Sequence, residues 1–395
     1  MVPIKYSTFF VPWILRFWKI IGWSVGTTFP AVSVVNMFRL IITPEFSASG
    51  IWKLEMPHRS RGFQLVYLIY SIVANMIYIS IPLLLTINFP RLLKTDAGEG
   101  LETLPKILFC FSFVIKLILY QSESTKRLLA QAITDEAHFL DNGDYSVVEV
   151  HEKHVFFCNL LNKFFLMSTA GSGFILCEMG IVGSYKVNQL NKKLNVTLPR
   201  PLPLPFCYPF DENNYHIWIL LEQLLVIVWC GFSIATVQIF SNSMMIYMRG
   251  QLKILQKYFS RYHRSATSVD GSVKALKLLC VKHQHLISFI DNVNGVFRNV
   301  VFIQYSISSI MLAMALFQVL AGNNVTYNIT YVLVIISELL LLAWSTDEIV
   351  TQSDELASAL YSCTWYECDR ESRILIILML IRCQKPLSID IGSYK

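Results

Sequence analysis

The residues of this chain that could do chemistry are histidines, cysteines and acidic side chains, and their spacing does not form a catalytic or metal-binding pattern. His151 and His154 are three residues apart in HEKH, whereas a zinc-binding pair on a helix needs a spacing of four. Cys363 and Cys368 have no second cysteine pair that would complete a metal site. The sequence contains no glycine-rich phosphate loop and no nucleophile elbow. We therefore expect no enzyme, no cofactor and no metal.

Ionisable residues inside apolar stretches are the next candidates, because a charge in such surroundings is costly. Glu178, Glu222 and Glu338 are of this kind. Each is interpreted either as a neutral carboxylic acid that is hydrogen-bonded between helices or as part of the lining of a polar cavity. Lys116 and Lys163 lie nearer the ends of their stretches, so their side chains are expected to extend towards the membrane surface.

The composition shows which kind of molecule must position these residues. Charged residues make up 15% of the 395 residues, where a soluble chain would have about 25%. Hydrophobic residues make up 54% and aromatic residues 13%. So many apolar side chains exceed what a few globular cores can hold, but they can face lipid. The chain is predicted to be a polytopic membrane protein, which excludes a soluble enzyme and a disordered protein.

Six apolar stretches are long enough, or nearly so, to cross a bilayer. Backbone polar groups cannot be satisfied by lipid, so the stretches are expected to be helices and the fold class to be all-α. They are Phe63–Ile87, Pro105–Gln121, Val155–Val182, Ile217–Phe240, Val300–Ala321 and Ile329–Thr346.

The predicted organisation has three parts. A cytoplasmic or interfacial N-terminal segment covers 1–62, and a transmembrane bundle of six helices, which includes a cytoplasmic helical extension over 241–299, covers 63–346. A cytoplasmic C-terminal helix and the truncated start of a further span cover 347–395. Within the first part, Phe9–Trp23 has the apolar spacing of a helix that lies in the membrane interface or packs on the other spans. Phe29–Ile42, between two prolines, is read as interfacial or re-entrant.

The positive charges predict the orientation. Loops on the N-terminal side of the membrane carry 24 Lys and Arg residues, and the loops on the opposite side carry six. This asymmetry places the N-terminus in the cytoplasm. The glycosylation sequons at Asn195, Asn324 and Asn328 all fall on the predicted outer side, which agrees.

The segment 241–299 is long for a loop and contains two helical stripes of mostly apolar side chains. We predict that the flanking spans continue as helices into the cytoplasm and bundle there, with a break at Ser265–Ser272. Both an intramolecular core and an oligomer interface fit the stripes. The stripe residues are Met245, Met248, Leu252, Leu255 and Phe259, then Leu276, Leu279, His283, Leu286 and Ile290.

The nine cysteines are scattered, mostly within or beside apolar runs, where a cysteine is usually a small buried hydrophobe. One disulfide, Cys177–Cys207, is left open. A G-protein-coupled receptor is excluded, because the Asp369-Arg370-Glu371 triplet lies near the C-terminus and no Asn-Pro dipeptide occurs. The predicted orientation of the N-terminus also disagrees with that class.

The last 50 residues resemble the C-terminal signature of insect odorant receptors. Thr346-Asp347 replaces the Gly-Asn that this family typically has after the sixth span. The chain is also similar to the family in length, in the spacing of its spans and in the long loop between the fourth and fifth spans. The residues that carry the resemblance are Ser353, Ala359, Tyr361, Trp365, Tyr366 and Arg373, followed by Arg382, Gln384, Pro386 and Leu387.

The resemblance implies a subunit of an odorant-gated, non-selective cation channel in the plasma membrane of sensory neurons. Such receptors form heterotetramers with an olfactory co-receptor, and the 241–299 and 350–385 segments match the subunit anchor. The chain lacks the extra loop length of the co-receptor, so a ligand-tuning subunit is implied. The complete family pattern has a seventh, pore-lining span, and this chain ends eight residues after Leu387. We therefore expect that helix to be missing.

Odorant-binding candidates follow from depth and chemistry, since an aromatic-lined pocket with few polar groups suits a small volatile ligand. Substitution of Trp218 or Phe174 by Ala is expected to shift ligand potency. The candidates are Phe109, Phe113, Phe174, Glu178, Trp218, Glu222, Tyr331 and Ile335.

Three alternatives stay open. One is a gustatory-type chemoreceptor of the same inverted topology, and another is a non-functional truncated isoform. The third is a transporter, which the absence of a visible internal repeat disfavours.

Overall fold

The computed structural model describes residues 61–95, 97–142, 145–195, 198, 200–210, 212–262, 269–322, 324–363 and 365–392. The predicted N-terminal segment 1–62, with its helix at Phe9–Trp23 and the Phe29–Ile42 piece, therefore lies almost entirely outside the described residues. Half of the predicted break at Ser265–Ser272, residues 265–268, also lies outside them, and residues 269–272 are helical.

Helices form nearly all of the regular structure in the described part of the chain, which confirms the all-α class. A 3-10 turn at Trp365–Glu367 separates the last two helices. The helices are α1 (Arg61–Thr95), α2 (Ala97–Tyr120), α3 (Glu123–Asn142), α4 (Tyr145–Leu194), α5 (His216–Arg261), α6 (Val269–Leu320), α7 (Val325–Tyr361) and α8 (Arg370–Cys383).

Six of these helices (α1, α2, α4, α5, α6 and α7) are long and apolar enough to cross a membrane, and four contain a predicted stretch entirely. The stretches Pro105–Gln121 and Val300–Ala321 overrun α2 and α6 by one residue each. At 1.5 Å per residue the 52 residues of α6 span about 78 Å, far more than the roughly 30 Å of bilayer hydrocarbon. The long helices must therefore continue well outside the membrane.

The continuations of α5, α6 and α7 pack together with α8 in what we call the anchor bundle, made of residues 241–261, 269–299, 347–361 and 370–383. All ten residues of the two predicted stripes are buried in it, as their helical spacing indicates. Arg249 on α5 contacts α7 at the end of this bundle that is nearer the spans. Its guanidinium lies 5.0 Å from the centre of the Trp344 ring and 3.1 Å from a carboxylate oxygen of Glu348.

The short apolar run of α8 docks on α6 and α7 instead of crossing the membrane. Asp369 caps the helix, because its carboxylate accepts hydrogen bonds from the backbone N–H groups of Glu371 and Ser372 at 3.0 and 3.2 Å. Beyond the helix, the backbone N–H of Leu387 donates to the hydroxyl of Ser353 on α7 at 2.9 Å. This bond fixes the segment that follows α8.

The spans are joined by hydrogen bonds between tyrosine and serine side chains. Tyr78 on α1 pairs with Ser233, and Tyr120 on α2 pairs with Ser241, both serines lying on α5. Such bonds between helices suit an environment in which lipid offers no alternative partner. The ring of Tyr120 also contacts Phe240, at 5.1 Å between centroids, so the middle of the bundle is closely packed.

No disulfide joins cysteines in the described part of the chain, so the one left open between Cys177 and Cys207 is absent. Cys177 lies in α4 and Cys207 in the loop that precedes α5. The loop is fixed by other contacts, which are described below.

Candidate functional site

A cavity of about 160 Å³ lies among the six spans. Every span contributes at least one side chain to its wall, and most of these side chains are apolar. Lys106 and Lys116, both on α2, line it at different depths. Ten residues of helix separate them, so the cavity extends about 15 Å along the bundle axis.

Four of the eight candidates predicted from the sequence line this cavity: Phe109, Phe113, Tyr331 and Ile335. The rings of Phe109 and Tyr331 meet edge to face at 6.2 Å, and Tyr331 stacks on Tyr327 at 5.9 Å. These contacts place one aromatic wall along α2 and α7.

The other four candidates do not line the cavity, and all are exposed on the surface of the bundle. Phe174 is 71% exposed and lies one turn from Glu178 on the outward stripe of α4, beside the lining residue Gly173. Trp218 is 72% exposed. Depth in the membrane indicates how far along a helix a residue lies, but the direction of its side chain depends on helix rotation, which hydropathy does not give.

Glu222 is held at this surface by the loop before α5. The hydroxyl of Tyr208 donates to its carboxylate at 2.8 Å. Of the three acidic residues singled out in the sequence, Glu338 alone is among the cavity-lining residues.

Glu338 forms a buried ion pair with Lys116. The pair lies at the end of the cavity nearer the anchor bundle, which we call the polar floor (Lys116, Gln238, Gln304 and Glu338). The Lys116 ammonium lies 3.4 Å from the Glu338 carboxylate and 3.4 Å from the side-chain oxygen of Gln238. Its position near a span end predicts that Lys116 extends to the membrane surface, and this prediction is wrong. Glu338 on α7 holds the Lys116 ammonium inside the helical bundle. Lys163, in contrast, is exposed.

Gln304 on α6 adds an unpaired acceptor to the polar floor. Its side-chain nitrogen donates to the hydroxyl of Ser308 at 2.9 Å, and its side-chain oxygen has no partner among the described residues. An unsatisfied buried polar atom costs about 1–3 kcal/mol. The sequence gives no signal for this residue, because a single glutamine on a long helix can face in any direction.

The opposite end of the cavity lies away from the anchor bundle, and we call it the outer end. It has a second polar group. Lys106 pairs with Glu102 at 3.2 Å, and its ammonium lies over the Tyr327 ring at 5.4 Å. Asn324 donates to the same Glu102 carboxylate at 2.7 Å. The two charges are therefore neutralised within the wall, and the space between the two ends is bordered mainly by apolar atoms.

The proline-rich loop that precedes α5 closes this outer end, with Leu204 in the cavity wall. Gln223 holds the loop by accepting from the backbone N–H of Leu204 at 2.9 Å and donating to its carbonyl at 2.7 Å. Asn88 on α1 donates to the carbonyl of Pro205 at 2.9 Å. Two helices thus bind the backbone of the loop directly.

Two glycines on α4 make room for the loop. A Cβ atom at Gly180 would overlap the ring of Pro203, and one at Gly183 would press on Pro201 at 2.9 Å. Real Cβ atoms do not approach other atoms this closely. The sequence shows the glycines and the prolines separately, and only the fold reveals that they face each other.

The three predicted glycosylation sites differ in accessibility. Asn195 is exposed in the turn after α4, and Asn324 is exposed before α7. Asn328 is only 3% exposed, because it lies in the first turn of α7 and faces the bundle. A glycan at Asn328 is not compatible with this packing.

The C-terminal motif residues lie at the junction of α7, α8 and the segment beyond. Ser353 is buried, and Arg382 donates to the carbonyl of Lys385 at 3.1 Å. Trp365 contacts both Tyr361 and Tyr366 at 6.2 Å between ring centroids. Gln384 and Pro386 are exposed after the end of α8.

In the described part of the chain, no group of three or more His, Cys, Asp or Glu side chains could hold a metal ion. The helices that can cross a membrane, the apolar cavity among them and the loop over its outer end define a polytopic membrane protein with a cavity inside its helical bundle. A family model for the 7tm odorant receptor matches residues 96–395, and the chain belongs to this odorant receptor family.

Individual relatives are similar at low identity. Odorant receptor 63a of Drosophila melanogaster is 26% identical over 205 residues, which make up 49% of this chain and 49% of that receptor. The chain spans about half the length of the curated relatives it matches.

Solved structures of the insect olfactory receptor OR5 from Machilis hrabei, alone and in complex with eugenol, have the same fold. Their TM-scores are 0.69 and 0.68, each at 16% identity, and each comparison covers 88% of this chain and 89% of the receptor.

Proposed function

We propose that this chain is the ligand-tuning subunit of an odorant-gated, non-selective cation channel. It works with an olfactory co-receptor in a heterotetramer in the plasma membrane of sensory neurons. The observation that carries the proposal is the mostly apolar cavity of about 160 Å³ in a chain of the odorant receptor family. The complex of the similarly folded OR5 with eugenol supports a small organic molecule as the ligand.

The cavity suits a volatile ligand by its size and lining. Apolar cavities bind small apolar molecules because transfer from water is favourable in proportion to the apolar area removed. Phe109, Phe113, Tyr331 and Ile335 supply that area. Phe174, Glu178, Trp218 and Glu222 stay in the proposal only as surface residues of the outer half.

The orientation remains part of the proposal. The excess of Lys and Arg on the N-terminal side supports a cytoplasmic N-terminus and a cytoplasmic anchor bundle. With that orientation the 200–210 loop faces the outside, where an odorant arrives, and the exposed sequon at Asn195 lies on the same side.

The anchor bundle is the proposed site of assembly. The outer face of α8 exposes four large aliphatic side chains that face away from α6 and α7. A contiguous apolar patch of this kind outside a membrane is typical of a protein–protein contact. The four residues are Ile374, Ile377, Leu378 and Ile381.

The test is cation current in cells that co-express this chain with the co-receptor, challenged with a panel of volatile compounds. Alanine at Phe109 or Tyr331 should raise the half-maximal ligand concentration about tenfold or more, because each substitution removes an aromatic wall. Alanine at Trp218 or Phe174 is the matched control of equal size change at exposed positions. If the control substitutions shift potency and the cavity substitutions do not, the ligand binds elsewhere.

A further inference from the structure

The size of the cavity limits the ligand to a small molecule. A cavity of about 150 Å³ lined by aliphatic and aromatic side chains holds one benzene molecule. The cavity here has about 160 Å³, so a ligand of roughly six to nine non-hydrogen atoms fits without rearrangement. Its body must be apolar, because most of the wall is.

The polar floor has hydrogen-bond donor and acceptor capacity that other described groups of the protein do not fill. The Lys116 ammonium has three N–H groups and two acceptors, each at 3.4 Å, which is longer than a good charged hydrogen bond. Gln304 presents an unpaired side-chain oxygen, and its residue is only 4% exposed. The floor therefore has both a donor and an acceptor available to a ligand.

Three other polar side chains of the wall already have partners. The hydroxyl of Thr169 donates to the carbonyl of Phe165 at 2.9 Å, and that of Ser172 donates to the carbonyl of Thr169 at 3.0 Å. Lys106 is paired with Glu102. At the floor, by contrast, the side-chain oxygen of Gln304 has no partner among the described residues.

We propose that the cavity selects small alcohols or phenols, with the ligand hydroxyl at the polar floor. This inference rests on the proposed function, and it names the chemical class of the ligand. A hydroxyl is both a donor and an acceptor. It donates to the free oxygen of Gln304 and accepts from the Lys116 ammonium, which satisfies both groups at once.

Other ligand classes satisfy the floor less well. A ketone, an aldehyde or an ether can accept from Lys116 but leaves the Gln304 oxygen unpaired. A hydrocarbon leaves both unsatisfied, which is costly in a buried site. A carboxylate adds a net charge to a floor that Lys116 and Glu338 already make neutral, and the desolvation of that charge opposes binding.

The test uses the full chain in lipid nanodiscs and direct binding, so it does not depend on channel opening. The probes are 4-fluorophenol, 4-fluoroanisole and 4-fluorotoluene, which have similar size and differ in hydrogen-bonding capacity. Binding is measured by fluorine NMR, with the partition into protein-free nanodiscs subtracted. We expect 4-fluorophenol to bind about five- to tenfold more tightly than 4-fluorotoluene, with 4-fluoroanisole closer to 4-fluorotoluene.

Two variants test whether the preference for 4-fluorophenol over 4-fluorotoluene arises at the polar floor. Gln304→Met keeps the side-chain length and removes the free oxygen, so the preference for 4-fluorophenol over 4-fluorotoluene should fall to within about twofold. Ile234→Val alters the same cavity without removing a hydrogen-bonding group. It should change the affinities for both probes by a common factor and keep the preference.

The outcomes separate the inference from the function on which it rests. Equal affinities for 4-fluorophenol and 4-fluorotoluene in the wild-type chain would overturn the hydroxyl preference while leaving a ligand cavity. A preference that persists in Gln304→Met would overturn the role of the floor. Binding of none of the three probes above the lipid partition would overturn both the inference and the cavity as an odorant site.

Discussion

Lys116 and Glu338 form a charged pair between two helices, and each is expensive to bury without the other. Moving a charge out of water costs several kcal/mol even after the protein relaxes, and the partner recovers this cost through attraction at short range. The pair is therefore weak evidence for stability as such. It does fix the position of α2 against α7, since both side chains must meet inside the bundle.

Removing one partner should destabilise the bundle more than removing both. Lys116→Met leaves the Glu338 carboxylate buried and unpaired, so the free energy of unfolding should fall by about 3 kcal/mol. The double variant Lys116→Met with Glu338→Met removes both charges at similar volume and should recover most of that loss. The measurement is unfolding of the purified chain in mixed micelles. A single variant as stable as the wild type would show that Lys116 is not charged and buried in this way.

The Lys116–Glu338 pair also shows that contacts between residues on different helices cannot be predicted from the sequence alone. Glu338 stands out in the sequence because it is an acid in an apolar stretch, and its place in the cavity agrees with one of the two interpretations given to it. Its partner lies 222 positions away along the chain. Hydropathy describes each stretch separately, so it cannot pair two stretches or indicate that Gln304 faces the same space.

At the scale of elements, the loop before α5 depends on the absence of side chains on α4. Gly180 and Gly183 lie against prolines of the loop, whereas Gly171 on the same helix has no atom within 4 Å of its ideal Cβ position. The two kinds of glycine have the same effect on helix propensity and differ only in what faces them.

Alanine at these positions should therefore have opposite effects. Gly180→Ala forces its methyl group against the rigid ring of Pro203 and should cost about 1–3 kcal/mol. Gly171→Ala meets no neighbour, so its better helix propensity should leave stability unchanged or raise it by up to about 1 kcal/mol. Hydrogen exchange of the 200–210 loop and thermal unfolding are the measurements. Equal behaviour of both variants would mean that the loop does not rest on Gly180.

The stability of the first turn of α8 is expected to depend on pH, because the carboxylate of Asp369 caps this helix. Hydrogen bonds from Ser372 hold the pKa of Asp369 below its usual range. A carboxyl group with a lowered pKa stabilises the folded state above its unfolded pKa, and this contribution is lost as the pH falls through the folded pKa. The expected window therefore lies below about pH 4.

Hydrogen exchange of the α8 amides tests this cap. In the wild type their protection should decrease below about pH 4, and in Asp369→Ala it should be reduced at every pH. Asp369→Asn keeps an oxygen that can cap the helix and should remove the pH dependence in that window. Asp354→Asn, at an exposed position within α7, is the control. Protection of α8 in Asp369→Ala equal to that of the wild type would contradict the capping role.

At the scale of the whole molecule, the sequence predicted the architecture well and the site only in part. Six spans and the helical continuations of 241–299 follow from long apolar runs and from stripes at helical spacing, which are properties of single segments. The rotation of each helix is a property of their packing. For this reason Phe109 and Tyr331 line the cavity, while Phe174 and Trp218, at comparable depth and of the same chemical type, face outward.

The exposed face of α8 bears on how the subunits assemble. Ile376 and Met379 of α8 are buried against the anchor bundle, while Leu378, between them in sequence, is 58% exposed on the opposite face. A side chain of this size that is exposed outside the membrane gains most when a second subunit covers it. The proposed heterotetramer with the co-receptor therefore predicts that the outer face of α8 carries part of the contact.

Leu378→Lys should then reduce co-assembly with the co-receptor about tenfold, because a lysine ammonium in a desolvated contact lacks a partner. The folding of the chain should be unaffected, since the side chain touches solvent in the isolated subunit. Ser358→Lys, at an exposed site on the anchor part of α7, adds the same charge and serves as the control. The measurement is co-purification of the two subunits at matched expression. If Leu378→Lys assembles as well as Ser358→Lys, the outer face of α8 lies outside the contact, and the anchor bundle must meet its neighbours through another surface.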